Sequence, residues 1–266
     1  MASSQHHQPS SPGQKDVPPY ELLYWPGIPG RGEHIRLAFE ETSTPYTDSA
    51  HVEDGMGLVT SQISANNLGD ALNPPPLAPP ILQHGPLLIS QTPNILLYLG
   101  PRLGLVPSVE EDASGVYRVN ELALTALDGL SNEVHDCHHP VSTGLYYEDQ
   151  KAEAQRKSQD YIKNRLPKFL AYFERVLSGE ASRGGTWLYG GVLTYADLVL
   201  FQCLDGLGFA FPNALSRLAK GGDYAKVFAL YENVQQRPNI KKYLASGRRQ
   251  QYGMGIYRHY PELDEP

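Results

Sequence analysis

Residues 79–99, PPILQHGPLLISQTPNILLYL, decide the architecture of this chain. Ile81 to Gln83 is a short apolar run, Gly85-Pro86 is a turn pair, and Leu87 to Ile89 is a second apolar run. Two such runs about a tight turn predict an antiparallel hairpin. Pro80 heads the first strand, a place proline takes when its missing N–H faces away from the ladder. After the hairpin, Thr92 reads as the N-cap of a helix with Pro93 at its first position, where a lost N–H costs nothing. That helix start turns free N–H groups and a positive dipole end outward beside Gln91, which makes a small carboxylate site.

Working outward, residues 20–25 (YELLYW) are β-prone and stop at Pro26-Gly-Ile-Pro-Gly30, which cannot be helical. Arg31 to Glu41 sets Ile35, Leu37, Ala38 and Phe39 among charges, the pattern of a helix buried on one face. Pro45-Tyr46-Thr47 restarts a strand, and residues 56–63 suit a short helix. Residues 66–76 are loop and end in Pro74, Pro75 and Pro76, so the segment 50–77 reads as a long surface excursion. Beyond residue 108 the strand signal vanishes, leaving helical periods at 109–135, 148–177, 195–206, 224–236 and 238–245. The fold class expected is α+β: a thioredoxin-like βαβαββα domain over residues 18–101, then an all-α domain over 108–246. Residues 1–17, rich in Ser, Gln, His and Pro, are expected to be disordered, and 247–266 form a C-terminal segment that either packs over the pocket mouth or trails free.

Composition narrows the function. The formal net charge of −7 argues against a nucleic-acid partner. No apolar run is long enough for a membrane span, and the N-terminus has no apolar signal region. The two cysteines, Cys137 and Cys203, form neither a CxxC pair nor a metal spacing, and a reducing, cytoplasmic compartment is expected. Tyrosines outnumber phenylalanines 17 to 7, which favours half-wet pockets and interfaces.

A strand-opening proline, a hairpin, and Gln-Thr at a helix start resemble the glutathione transferase superfamily. Tyr24-Trp25-Pro26 followed by Arg31 and Ile35-Arg36-Leu37 is closest to its Mu, Pi and Sigma type. Gly190, Thr194 and Asp197 match the capping box of its helical domain, a structural motif, and the apolar run 198–204 makes that helix central to the core. The resemblance covers residues 20–245. It implies glutathione as co-substrate, a small apolar electrophile as second substrate, a homodimer, and no metal. By the same resemblance Pro80 is the cis-proline, and Pro79 presents its backbone to the cysteinyl part of glutathione. Gln91 and Thr92 hold the γ-glutamyl carboxylate, Arg31 lies near glutathione, and Glu121 reaches the amine in the partner subunit. Tyr24, at the end of the first strand, is the donor to the thiolate.

The chemistry makes that assignment reasonable. A free thiol has a pKa of about 8.5, so ionisation at neutral pH needs a fall of roughly two units, or about 3 kcal/mol. One hydrogen bond to a charged group contributes about 1.5–3 kcal/mol. Two features depart from the pattern. Gly27-Ile-Pro-Gly30 lengthens the loop after Tyr24, so displacement of Tyr24 would pass its role to Trp25 or a loop amide. Pro79 has no N–H to offer. These departures support a second reading, a glutathione-transferase-like binding or interaction protein without catalysis; glutathione-dependent isomerisation or reduction is a third. His135, His138 and His139, with Asp136 and Cys137, form the densest polar cluster. A metal site, a pocket wall and helix-end packing are its three readings.

Overall fold

The computed structural model describes residues 18–264; the disorder expected of residues 1–17 lies outside them. Four strands form one sheet in the order β2-β1-β3-β4: β1 (Tyr20–Leu23), β2 (Tyr46–Asp48), β3 (Ile81–His84) and β4 (Leu87–Ser90). β1 runs parallel to β2, with Tyr20 opposite Tyr46, and β3 is antiparallel to both β1 and β4. Between them lie α1 (Glu33–Glu41) and α2 (Gly55–Gln62), and α3 (Thr92–Arg102) follows the hairpin. This is the βαβαββα order of a thioredoxin-like domain.

Tertiary contacts fix the loops around this sheet. Arg36, fully buried on α1, reaches Asp48 at the end of β2 (Nε to Oδ2, 2.6 Å) and donates to the Pro29 carbonyl at 3.1 Å. A buried guanidinium thereby ties down the long loop that follows β1. Residues 63–80 are anchored by the buried side chain of Asn73. Its Oδ1 accepts the Leu88 N–H at 2.8 Å and its Nδ2 donates to the Pro86 carbonyl at 2.9 Å, so one side chain extends the ladder where a proline-rich strand cannot.

The helical part comprises α4 (Gly115–Leu127), α5 (Glu133–His138), α6 (Lys151–Asp160), α7 (Leu166–Ser178), α8 (Tyr195–Ala210), α9 (Pro212–Gly221), α10 (Ala225–Gln235) and α11 (Pro238–Leu244). α4 passes into α5 through a wider, π-type turn at Asp128–Asn132, and α6 into α7 through another at Tyr161–Arg165. The first π turn has identifiable causes: Tyr161 donates to the Gly129 carbonyl at 3.0 Å and Tyr257 to that of Leu130 at 2.9 Å. A β-carbon at Gly129 would collide with the Phe169 ring. α8 is buried nearly all round, and Thr194 and Asp197 make the reciprocal capping box. Asp197 also accepts the Leu188 N–H at 2.8 Å, and burial lifts its pKa to about 6 against the pull of these donors. α9 was not expected from the sequence: of its side chains Ala214 alone is buried, so its apolar face is thin.

The C-terminal segment packs back on the molecule. Arg249 binds Glu33 at 3.0 Å and Asp205 at 2.7 Å, Tyr257 lies against Gly206 of α8, and Asp264 accepts the Asn213 and Ala214 N–H groups at the start of α9. One continuous hydrophobic core runs from Leu22 and Leu37 through α8 to Leu263. Among the described residues no single helix is long and apolar enough to cross a membrane.

Candidate functional site

A cavity of about 380 Å³ opens where the head of β3 and the start of α3 face the α4–α5 junction. Pro79, Pro80, Gln91 and Thr92 line one side, Leu124, Leu127, Asp128 and Asn132 the other, with Arg31 between them. The Pro79–Pro80 peptide is cis.

The helix start differs from the expectation in one respect. Gln91, with φ of +73°, occupies the capping position, and its carbonyl accepts the Ile95 N–H at 2.9 Å. Thr92 is therefore the first helical residue, and its hydroxyl does not cap its own helix. Taking the left-handed turn one residue early frees that hydroxyl. Thr92 is 2% exposed, lines the cavity, and its Oγ1 has no hydrogen-bond partner among the described residues. A buried hydroxyl left unpaired is unfavourable by about 1–3 kcal/mol, and a ligand that bonds it removes that penalty.

Arg31 spans the cavity: its Nη2 donates to Asn132 Oδ1 at 2.7 Å. Its backbone N–H donates to the Tyr24 hydroxyl at 2.8 Å. Tyr24 follows the last residue of β1, is 5% exposed, and does not itself line the cavity. Its ring lies over Gly30 and Gly32, where any β-carbon would collide with it, so the Gly-Arg-Gly turn admits the phenol closely. Ser49 Oγ accepts the Tyr24 N–H and donates to the Tyr24 carbonyl, both at 2.8 Å, which fixes the residue from behind. Burial raises the phenol pKa, partly offset by the Arg31 N–H and by the Arg31 and Arg36 charges. The group keeps its proton at neutral pH, and because it accepts from Arg31 that proton is free to be donated. Trp25 packs elsewhere, against Leu23, Val59 and Ile81.

Glu121 lies apart from these residues. It is exposed on α4, pairs with Arg118 at 3.2 Å, and borders a separate groove with Tyr172 and Tyr189. The acidic side chain at the cavity is Asp128, held by Asn132 Nδ2 at 3.4 Å. Both belong to the π turn, and the one sequence signal for them is their place on the Glu121 face two and three turns further on.

The three histidines at the end of α5 pack ring on ring, with centroids 4.8–5.1 Å apart. His138 Nε2 meets the Ile256 carbonyl at 2.9 Å, and Gln150 Nε2 lies 3.3 Å from His139 Nδ1. Burial first, and neighbouring positive charge second, lowers the pKa of His135 to about 4; His138, buried and beside Arg258, falls to about 3. They are neutral packing groups at pH 7. Among the described residues no group of three or more His, Cys, Asp or Glu side chains is arranged to hold a metal ion.

Residues 135–247 match the family model described as glutathione S-transferase, C-terminal domain. A glutathione S-transferase of Plasmodium yoelii yoelii is 26% identical over 224 residues, covering 84% of this chain and 92% of that protein. Rat glutathione S-transferase Mu 2 is 27% identical over 231 residues, covering 86% and 92%. The Pi-class glutathione S-transferase of Onchocerca volvulus superposes with a TM-score of 0.58 at 24% identity over 85% of this chain and 92% of that one, a likeness of fold. Taken with the sheet, the capping box and the cavity between the two layers, these matches make the chain similar to glutathione S-transferases over most of its length, with residues 135–247 matching the C-terminal domain of that family.

Proposed function

We propose that the protein is a glutathione transferase that joins the glutathione thiolate to small apolar electrophiles, acting as a cytoplasmic homodimer in detoxification. The observation that carries this reading is the buried, unpartnered hydroxyl of Thr92 at the start of α3, a residue that lines the cavity together with Pro79, Pro80, Gln91 and Arg31. Thr92 Oγ1 and the first N–H groups of α3 suit the γ-glutamyl carboxylate, with the Gln91 amide beside them. Asp128 suits the α-amine in the same subunit; Glu121, exposed, is free to reach the site of a second copy. Pro79 offers a carbonyl and no N–H to the cysteinyl backbone, which lowers affinity by about 1 kcal/mol. The glutathione thiol releases its proton to solvent, and the hydrogen bond donated by the Tyr24 hydroxyl stabilises the thiolate left behind. The thiolate then attacks the electrophilic carbon, a C–S bond forms, and the leaving group departs with its bonding pair.

Calorimetry with glutathione at millimolar concentration tests the reading: binding that Thr92→Val weakens supports it, and no heat of binding rejects it. A second reading, a non-catalytic binding protein, draws on the depth of Tyr24 and on the contact of the C-terminal segment with the loop ahead of it. Gln250 accepts the Gly27 N–H at 2.9 Å, and a β-carbon at Gly255 would stand 3.6 Å from Ile28. Turnover that Tyr24→Phe abolishes decides for the enzyme; glutathione binding without turnover on any electrophile, and without isomerase or reductase activity, decides for the second.

A further inference from the structure

β1 and β2 pair through Tyr20–Tyr46, Glu21–Thr47 and Leu22–Asp48, and beyond these rungs the ladder stops. There Ser49 begins a single turn, Ser49–His51, and its carbonyl bends away to accept the Val52 N–H at 3.3 Å. A β-carbon at Gly55 would collide with that carbonyl, so the backbone is held out of the ladder. We propose, resting on the reading of Tyr24 as donor to the thiolate, that Ser49 is the residue that positions Tyr24 and, through it, sets the ionisation of the bound thiol.

Tyr24 stands just past the end of the ladder and is buried, so its N–H and its carbonyl both need partners. The backbone of β2 no longer offers any. The Ser49 hydroxyl, on a residue itself 2% exposed, serves both groups: it accepts the Tyr24 N–H and donates to the Tyr24 carbonyl, each at 2.8 Å. A hydroxyl accepts and donates through one atom, and an alanine in its place does neither. The far end of Tyr24 is tied to the same strand. Its phenol oxygen accepts the Arg31 N–H at 2.8 Å, and the loop that carries Arg31 is held through Asp48. Asp48 Oδ2 accepts from Arg36 Nε at 2.6 Å, Arg36 donates to the Pro29 carbonyl at 3.1 Å, and Asp48 Oδ1 accepts the Ala50 N–H of the Ser49 turn at 2.9 Å. Two consecutive residues thus fix both ends of Tyr24, Ser49 through its main chain and Asp48 through the loop in front of it. Hydrogen bonds weaken steeply as their geometry departs from the ideal, so a small shift of the Tyr24 main chain reaches the sulfur as a weaker bond to the thiolate. The charges facing the phenol are Arg31 and Arg36, the latter 5.7 Å from the ring centre, and a change at Ser49 removes neither.

The pKa of the bound glutathione thiol, read from thiolate absorbance in the binary complex, tests this in Ser49→Ala, Tyr24→Phe and the double variant. Ser49→Ala is expected to raise it by about half a unit or more, and to lower turnover at pH values below it about threefold or more. Glutathione affinity, measured below the thiol pKa, is expected to stay within about twofold of wild type, because the Thr92 cavity is untouched. The double variant is expected to go no further than Tyr24→Phe alone, since both changes act on one bond. Asp197→Asn, destabilised in the helical layer with the site intact, is expected to keep the wild-type pKa, which separates positioning from loss of stability. Should Ser49→Ala not fold, Ser49→Cys, whose thiol donates and accepts weakly, is expected to give a smaller rise. An unchanged pKa in the natively folded Ser49 variant, or a rise that adds in full to that of Tyr24→Phe, overturns the proposal and leaves the Tyr24 reading standing. If glutathione does not bind, or Tyr24→Phe leaves its thiol unchanged, the donor reading is what fails. Isotope-labelled tyrosine NMR of the free protein then decides on positioning. The signal missing from Tyr24→Phe is expected to shift in the Ser49 variant and not in Asp197→Asn, and a signal that stays fixed overturns the proposal.

Discussion

Thr92 carries a hydroxyl that its own helix leaves unused, and this separates a binding role from a structural one. In the free protein Thr92→Val removes a buried unpaired oxygen and replaces it with a methyl group of similar shape, so thermal stability is expected to hold or rise. Glutathione affinity is expected to fall roughly tenfold or more, since a hydrogen bond to a charged carboxylate contributes about 1.5–3 kcal/mol. Differential scanning calorimetry and titration on the same sample read both effects; a drop in stability with unchanged affinity would make Thr92 a packing residue. Tyr24 acts through its proton, because its phenol accepts from Arg31 and keeps that proton at neutral pH. Tyr24→Phe leaves the bound thiol without that donor, and its apparent pKa is expected to rise by about one unit or more toward the free value of about 8.5. The pH dependence of turnover, or thiolate absorbance in the binary complex, measures the shift; a profile identical to wild type would remove Tyr24 from the reaction.

Buried groups on α1 and α5 respond to pH in one direction and the head of α8 in the other. At the end of α5, His135 and His138 have native pKa values of about 4 and about 3, and buried His34 on α1 about 3, against 6.5 in the unfolded chain. As pH falls below that unfolded value the unfolded state binds protons that the native state does not, so stability declines, by at most about 1.4 kcal/mol per pH unit for each histidine. Asp197 at the head of α8 runs the other way: its pKa is about 6 rather than 3.8, so between those values the native state holds the extra proton and acidification favours folding. These three histidines, with His139 shifted in the same direction, outweigh the one carboxylate and predict a net loss between about pH 6.5 and 4, seen in urea melts as a falling midpoint, and His138→Gln is expected to flatten the slope. Asp197→Asn is expected to cost about 2–4 kcal/mol at neutral pH, because an amide cannot accept from both Leu188 and Thr194, and to steepen the acid loss. α8, its cap and the hairpin leading into α3 were legible in the sequence because their signals are local: Gly-Pro, Thr-Pro, and Thr-x-x-Asp before an apolar run. α9 was not, having one buried side chain, and neither was the π turn, whose displaced carbonyls are bound by Tyr161 and Tyr257, 32 and 127 residues away. The candidate site divides in the same way. Pro79, Pro80, Gln91 and Thr92 come from one contiguous stretch, whereas Asp128 and Asn132 reach the cavity through tertiary packing, of which their helical spacing from Glu121 is the one local sign.

At the scale of the whole molecule, the sheet and the helices are joined by charge as well as by core. Arg249, from the C-terminal segment, sits between Glu33 of α1, which is fully buried, and Asp205 of α8; the Tyr243 hydroxyl of α11 donates to the same Glu33 at 3.2 Å. Arg237 pairs with Glu41 and Arg248 with Glu40, so three arginines near the C-terminus hold α1 against the helical layer. The larger hydrophobic core is also continuous across that junction, and the sheet's separate cluster of Leu23, Val59 and Ile81 is too small to keep that layer folded when the other opens. The two tryptophans, Trp25 beside the sheet and Trp187 in the helical layer, make this measurable. In Trp25→Phe and Trp187→Phe proteins the remaining tryptophan is expected to report the same urea midpoint from either side. Arg249→Met leaves Glu33 with a weaker set of partners in a dry site, and breaking a buried pair of this kind costs about 3–5 kcal/mol. Both single-tryptophan proteins are expected to lose that amount together on acquiring Arg249→Met. A shift confined to Trp187, or two resolved transitions, would mean that the layers fold independently and that the arginine contacts only decorate their boundary.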